Sequence, residues 1–328
     1  MVMGYRLQVI GFILCAAFLF GCQNAPDVQV ATQECAPMPA GRASACACSL
    51  GGKGYVFAGR EGGRYKNDLW QYDPQTDSWT DLGASPMKPR VNATIVAADG
   101  LLYMGLGYAG NGIYRDSSCL QDWWSYAPLT GEWTRMADYP NGNTVACVAY
   151  AMGNKIYALY GFGSKQTRQI CIYSPAKNTW QELPDNSNRP RQRFGERAAL
   201  HDGMLYFGTG YTTDGSMRDW YAADIEQDRW TSRKSIPGKG REFTACANTK
   251  QYVYLFGGRY FSGEMTGGEV FESYMRYAPD KDQWEWCGKM PCGRAENQIA
   301  FSINGKVYFG LGENEKGEAI NKLYCIEE

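Results

Sequence analysis

A tryptophan returns along the chain at nearly constant intervals: Trp79, Trp133, Trp180, Trp230 and Trp284 are separated by 54, 47, 50 and 54 residues. Tyr72, Tyr126, Tyr173 and Tyr277 each stand seven residues before their tryptophan, and before Trp230 that place is taken by Ala223. Self-similarity at a period near fifty specifies one supersecondary unit repeated, not a set of unrelated domains. Residues 54–82 show the unit clearly: a short apolar run (Tyr55, Val56, Phe57), a glycine (Gly59), a polar loop, a second run carrying Tyr72, and the tryptophan. Four short strands fit that length. Runs such as LLYMG and YVYLFG are apolar on both faces, as strands buried between two neighbouring sheets must be. One tryptophan per unit supplies a large contact between neighbours.

The two ends of the chain predict how the repeats close. The last copy, GKVYFGLGENEKGEAINKLYCIEE, stops after its third strand with no Tyr-x6-Trp completion. At the front, Pro37-Met38-Pro39-Ala40-Gly41-Arg42 matches the Pro86-Met87-Lys88-Pro89-Arg90 that follows a fourth strand. Val28 to Glu34 is therefore expected to fill the outer position of the last sheet and remove its exposed edge. The expected fold is all-β: one six-bladed propeller over residues 28–328, with four antiparallel strands per blade and no second domain. Composition agrees, with 39 glycines, 14% aromatic and only 20% charged residues in 328.

This layout resembles the kelch repeat, in which a glycine pair ends the second strand and a Tyr-x6-Trp pair spans the turn between the third and fourth. The glycines are Gly59, Gly105 and Gly107, Gly161, Gly208 and Gly210, Gly257 and Gly258, Gly310 and Gly312. Only Gly257-Gly258 is the full doublet; most copies read Gly-x-Gly.

Residues 1–21 read as a secretory signal, with Arg6 before the apolar run VIGFILCAAFLF, which is too short to remain as a membrane span. The run ends in Leu19-Phe20-Gly21-Cys22, so a lipoprotein-type cut would expose Cys22 for acylation. Residues 22–27 would then be a short polar tether. The expectation is an exported bacterial lipoprotein held to the membrane through Cys22. No acidic run follows that cysteine, which favours the periplasmic face. Ten further cysteines are present besides Cys15 and Cys22. Most read as buried free thiols, with Cys287–Cys292 and Cys35–Cys325 as the conceivable disulfides.

Alignment of the copies on the second-strand tyrosine brings out a recurrent cation. Arg42, Arg90, Arg193 and Arg241 stand thirteen residues before Tyr55, Tyr103, Tyr206 and Tyr254; Arg294 is one residue out of step, and the third copy has Thr144. The first strand of a blade is innermost, so these five arginines are expected around one mouth of the central channel. Arg60, Tyr108, Phe162, Tyr211, Arg259 and Glu313, just after the second-strand glycines, face the same mouth. Like charges converging on a concave site attract an anion, and an arginine fork suits a carboxylate. The opposite reading is structural, with each arginine held by a carboxylate of the fold. Glu196, Glu242 and Glu296 follow the arginines closely and would either neutralise the ring or act as acid and base. The long loop from Arg259 to Glu272 could overhang the mouth. In kelch proteins that bind acidic ligands, arginines and aromatics at these places form the pocket, which is what the resemblance implies here.

Several chemistries are disfavoured. His201 is the only histidine, expected in a turn before the second strand of its blade, so neither a Ser-His-Asp triad nor the paired histidines of kelch-type copper oxidases can be built. No Walker loop, zinc signature or repeated Asp-box is present, and no metal or cofactor is expected. A net charge of −1 gives no reason to expect nucleic acid as partner. Three readings remain. The first is a binding module for an anionic glycan, sugar acid or acidic peptide at the arginine-lined mouth. The second is an enzyme resembling the periplasmic kelch-type mutarotases that interconvert anomers of N-acetylneuraminate, with Arg193 or Arg241 on the carboxylate and Glu196 or Glu242 moving the proton. The third is a scaffold for partner proteins.

Cys22→Ser is expected to abolish incorporation of a palmitate analogue in metabolic labelling and to shift the protein out of the detergent-extracted fraction. Equal labelling of the two proteins would remove the lipid anchor.

Overall fold

The structure is a computed structural model that describes residues 25–110, 116–163, 168–261, 268–326 and 328. The signal segment and Cys22 lie outside the described residues, and so does the centre of the loop from Arg259 to Glu272. Six four-stranded antiparallel sheets are arranged radially. Their inner strands are Cys46–Leu50, Thr94–Ala98, Val148–Met152, Arg197–His201, Ala245–Asn248 and Ile299–Ile303, which number the blades 1 to 6. Inner strands of neighbouring blades touch one another around the axis, blade 6 against blade 1 included. His201 ends the inner strand of blade 4 instead of lying in the turn beyond it.

The second strands are buried on both faces, as their sequences require: Lys53–Phe57, Leu101–Gly105 and Lys306–Gly310 leave only their first residue partly accessible. Burial produces six large apolar cores, each between two adjacent blades, and a smaller seventh near the mouth around Val91, Tyr108, Cys119 and Val145. No blade therefore has a core of its own.

The tyrosine–tryptophan pair clasps one blade to the next. Tyr72 and Trp79 are cross-strand partners, and the residue in the turn between them, Asp77, takes a left-handed conformation (φ 45°). Asp77 Oδ1 accepts from the Tyr72 hydroxyl at 2.7 Å and from the Ala36 backbone N–H at 2.8 Å, while Trp79 Nε1 donates to the Ala36 carbonyl at 2.8 Å. Asn178 with Trp180 grips Ala137 in the same way, and Asp282 with Trp284 grips Lys234. In blade 4, where Ala223 replaces the tyrosine, Asp228 turns to Arg189 and Asn186 of the preceding connection.

The ring closes as expected, with one difference in extent. Thr32–Cys35 pairs antiparallel with Leu323–Ile326 as the fourth strand of blade 6. The strand is shorter than Val28 to Glu34 because residues 26–28 dock elsewhere: Trp286 donates to the Pro26 carbonyl and accepts from the Val28 N–H, both at 2.8 Å. Pro26 and Asp27 thus belong to the propeller's outer wall on blade 5 and not to a free tether. Neither Cys35–Cys325 nor Cys287–Cys292 is disulfide-bonded. Closure rests on hydrogen bonds and packing.

A chain beginning at Ala36 is expected to melt about 5–10 °C below one beginning at Gln23, since losing a strand's pairing costs several kcal/mol and each shifts Tm by about 2–4 °C. Thermal melting followed by circular dichroism checks this, and equal midpoints would show that the N-terminal strand does not close the ring.

Candidate functional site

The recurrent arginines are not a ring of free cations. Arg42, Arg90 and Arg193 are 2% exposed or less, and each is locked into an aspartate at the start of its own blade's third strand. The pairs are bidentate, with Nη2–Oδ2 distances of 2.9 Å to Asp68, 2.8 Å to Asp122 and 2.8 Å to Asp219. Each Nη1 also donates to the carbonyl of the left-handed residue after the second strand: Ala58, Leu106 and Thr209. One guanidinium thereby ties the beginning of the first strand to the second and third. The structural reading holds for these arginines, and they face no opening.

The signal for this role was present as a covariation inside the chain. Blade 3 has Thr144 with Gln169 at the corresponding backbone positions, and blade 6 has Ala295 with Lys322, so the arginine and the aspartate disappear together. Blade 5 breaks the pattern. Arg241 meets Ser273, whose hydroxyl lies 2.7 Å from Nη2, and stacks over the Phe271 ring at 4.0 Å. Burial without a carboxylate pushes its guanidinium down to about 9. Arg294 sits on the outer rim, 41% exposed and 3.4 Å from Glu315.

The mouth is built one residue further along. Ala43 bridges Arg60, Val91 bridges Tyr108, Val145 pairs with Phe162, Phe194 bridges Tyr211, Glu242 bridges Arg259 and Glu296 bridges Glu313. The next residues, Ser44, Asn92, Ala146, Gly195, Phe243 and Asn297, all take left-handed conformations, with φ between 48° and 66°. Their backbones form an annulus. Asn92 N–H donates to Ser44, Ala146 to Asn92, Ser44 to Asn297, Asn297 to Phe243 and Phe243 to Gly195, at 2.9 to 3.1 Å. A left-handed residue other than glycine costs about 1–2 kcal/mol, and such strain gathers where a site needs a fixed frame.

Around this frame the mouth divides into two arcs. Blades 3 to 5 contribute half-buried aromatics: Phe194 lies 5.9 Å from Phe162, 5.4 Å from Tyr211 and 6.0 Å from Phe243, and Phe261 is 5.5 Å from Tyr211. Tyr108, on the opposite side, is only 1% exposed and presents no face to a ligand. Blades 5, 6 and 1 contribute charge. Arg259 lies 3.2 Å from Glu242 and 3.7 Å from Glu296, Arg60 pairs with Glu313, and Asn297 donates to Glu313 at 2.9 Å. The guanidiniums lie outermost, about a third exposed (Arg60 32%, Arg259 34%), with carboxylates that are 4–11% exposed beneath them.

Burial pushes the Glu242 and Glu296 carboxyls up to about 7, further raised by the neighbouring carboxylates and opposed by Arg259. Glu242 Oε2, Glu296 Oε2 and Arg259 Nε are buried without a hydrogen bond, Arg259 Nε and Glu296 Oε2 keeping only the ion-pair contacts above. Buried polar atoms are nearly always satisfied by the chain or by water, so these atoms have capacity left for water or for a ligand at the mouth. Glu196 does not belong to it. That side chain is fully enclosed with both oxygens unpartnered, and burial pushes its carboxyl up to about 8. A ligand at the mouth does not reach it.

Comparison with known proteins matches the chain to the KLHDC2/KLHL20/DRC7 Kelch-repeats domain over residues 18–144 and 137–308. It is 28% identical over 88% of its length to Kelch-like protein 25 of Xenopus tropicalis, covering 47% of that protein. It is 33% identical over 58% of its length to a putative F-box/kelch-repeat protein of Arabidopsis thaliana, covering 49%. The chain thus spans about half the length of these relatives. Among solved structures, that of YjhT superposes with a TM-score of 0.75 at 16% identity, over 89% of this chain and 96% of that one.

Arg90→Ala is expected to destabilise the fold by about 3 kcal/mol, the lower end of the cost of stranding one partner of a buried pair, since Asp122 keeps some solvent access. Ser273→Asp supplies the aspartate that blade 5 lacks and is expected to stabilise by about 1 kcal/mol. Denaturant unfolding of both variants checks these signs; a destabilising Ser273→Asp would show that Arg241 is not waiting for a carboxylate.

Proposed function

Because the chain belongs to the kelch-repeat family of β-propellers, we propose that it is a ligand-binding propeller that takes a sugar acid or acidic glycan at this divided mouth. The observation that carries the reading is the ion-paired cluster of Glu242, Glu296 and Arg259 beside the half-buried rings of Phe194, Tyr211 and Phe261, the last of them 5.6 Å from the Arg259 guanidinium. An aromatic face suits the apolar face of a pyranose, carboxyls accept from ring hydroxyls, and an outward guanidinium fork takes a carboxylate. The anion-binding role thus passes from Arg42, Arg90, Arg193 and Arg241, which are enclosed, to Arg60 and Arg259. Anchoring at Cys22 on the periplasmic side remains part of the proposal.

A second reading, a carbohydrate mutarotase or epimerase, is favoured by one observation. Glu242 and Glu296 are held near 7, where a carboxyl can both give and take a proton. Of the residues first considered for acid–base work, Glu242 and Glu296 keep the role and Glu196 drops out. A protein-partner scaffold is the reading that stands if no small ligand binds.

Isothermal titration calorimetry with N-acetylneuraminate and glucuronate tests the site. Arg259→Ala is expected to weaken binding by roughly 10- to 100-fold, the worth of a charge-assisted hydrogen bond, while Lys155→Ala leaves it unchanged. The pH dependence has a defined sign. With Arg60 and Glu313 cancelling, the arc is net positive while Glu242 and Glu296 hold protons and net negative once both lose them. Affinity for an acidic sugar therefore falls as pH rises through about 7, and the fall flattens in Glu242→Gln with Glu296→Gln. Stability follows the same direction: raised carboxyl pKa values stabilise fully below the ordinary glutamate value of about 4.5, and the contribution is lost as pH rises through about 7. Anomer exchange by NMR separates the two readings. Acceleration by the wild type that disappears in Glu242→Gln makes the protein an enzyme, and binding without acceleration makes it a module.

A further inference from the structure

Below the annulus the central channel opens into a cavity of about 350 Å³, walled by all six inner strands. It stays open because those strands present small side chains to it, among them Ala47, Ala149, Ala247 and Ala300 together with the thiols of Cys46 and Cys246. The volume lies at the lower end of the ~300–1,000 Å³ typical of small-molecule sites. Among the residues lining it, Arg197 alone carries a full charge. The first residue of the blade 4 inner strand, it has none of the arrangement that neutralises Arg42, Arg90 and Arg193. Among the described residues its side chain makes one hydrogen bond, from Nη1 to the Glu196 backbone carbonyl at 2.7 Å. A guanidinium has five N–H donors, so four are left for something in the channel.

The surroundings of Arg197 do not compensate its charge. Its electrostatic neighbours are Glu196, Tyr150, Cys246 and Cys46. The Tyr150 hydroxyl is spent on the Ala198 carbonyl, and the Cys46 thiol leans on the Phe57 carbonyl at 3.6 Å. Burial lowers the pKa of the Arg197 guanidinium and pushes the Cys46 and Cys246 thiols well above their ordinary value, so neither thiol supplies a negative charge at neutral pH. The Glu196 carboxyl, raised to about 8, does not supply it either. A half-buried cation facing a channel whose lining carries no counter-charge attracts an anion into it.

We infer that the channel is a second ligand site, independent of the mouth, that binds a short-chain carboxylate with its carboxylate on Arg197 and its hydrocarbon against the alanine and cysteine wall. The planar fork of arginine matches a carboxylate in two parallel hydrogen bonds. The apolar part of the wall, which Ser49, Asn248 and Ser302 interrupt, is what distinguishes such an acid from an inorganic anion, which would use the charge alone.

Calorimetric titration of the mature protein with acetate, propionate and butyrate, at constant ionic strength in chloride, tests this. One molecule is expected to bind per chain, tightening about three- to four-fold per added methylene, as burial of a CH₂ predicts. Arg197→Met is expected to weaken butyrate at least ten-fold, and Arg197→Lys, which keeps the charge but loses the fork, to fall between. Arg259→Ala at the mouth is expected to bind butyrate as the wild type does. In anion-free buffer Arg197→Met should melt no lower than the wild type, because it removes a half-buried charge that has no counter-charge; a lower midpoint would make Arg197 a structural residue and overturn the inference. Unchanged butyrate affinity in both Arg197 variants, or its loss in Arg259→Ala instead, overturns it as well. Binding of chloride or phosphate with no dependence on chain length would leave a plain anion in place of the carboxylic acid and defeat the assignment of the wall.

Discussion

The hydrogen bonds between Thr32–Cys35 and Leu323–Ile326 close the ring on which every other contact depends. Each apolar core lies between two blades, so a blade with an open face loses half its burial. Closure is reinforced on both sides of the seam. Residues 26–28 run along blade 5, and Ala36 is held by the Asp77 and Trp79 clasp of blade 1. The Glu328 carboxylate accepts from Arg276 and, at 3.1 Å, from Thr249, which brings the other end of the chain onto blade 5 too. Both ends of the chain are thereby pinned across the same boundary.

Rigidity at the seam permits strain elsewhere. The annulus of left-handed residues is affordable only because neighbouring blades hold it from outside. Gly59 shows how little room is left: a Cβ there would sit 2.7 Å from the Ala43 carbonyl oxygen, and its φ of 90° suits no other residue. The annulus fixes where the first strands begin, and so fixes the spacing of Glu242, Glu296 and Arg259 at the mouth and of Arg197 just below it. Unpartnered buried atoms at the mouth are then tolerated as the cost of a preformed site.

The chain uses arginine in three distinct ways, and environment alone separates them. Paired with an aspartate behind the rim, Arg42, Arg90 and Arg193 join strands within a blade. Lying over buried glutamates, Arg60 and Arg259 present charge to solvent. Standing in the channel, Arg197 has a single backbone partner. Side-chain type says nothing about which of these a given arginine performs.

What the sequence by itself determined was the architecture. A fifty-residue period, second strands apolar on both faces and a last repeat lacking its fourth strand together leave one arrangement, because repeats with two sticky faces must be covered on both and an open edge must be filled. It also pointed to the residues after the second-strand glycines, of which Arg60, Tyr211 and Arg259 are half-buried and Tyr108 is enclosed, since position within a repeat fixes radial position. Only the tertiary structure decided which charges are free. Recurrence of Arg42, Arg90 and Arg193 looked like a shared function, but repeats preserve scaffold contacts more regularly than sites, and the matching recurrence of Asp68, Asp122 and Asp219 was the sign of it. A site confined to one or two blades breaks the repeat instead. Glu242, Glu296, Arg259 and Arg197 are such departures, and their meaning depends on burial and on which atoms find partners, which are properties of distances between blades that no spacing along the chain encodes.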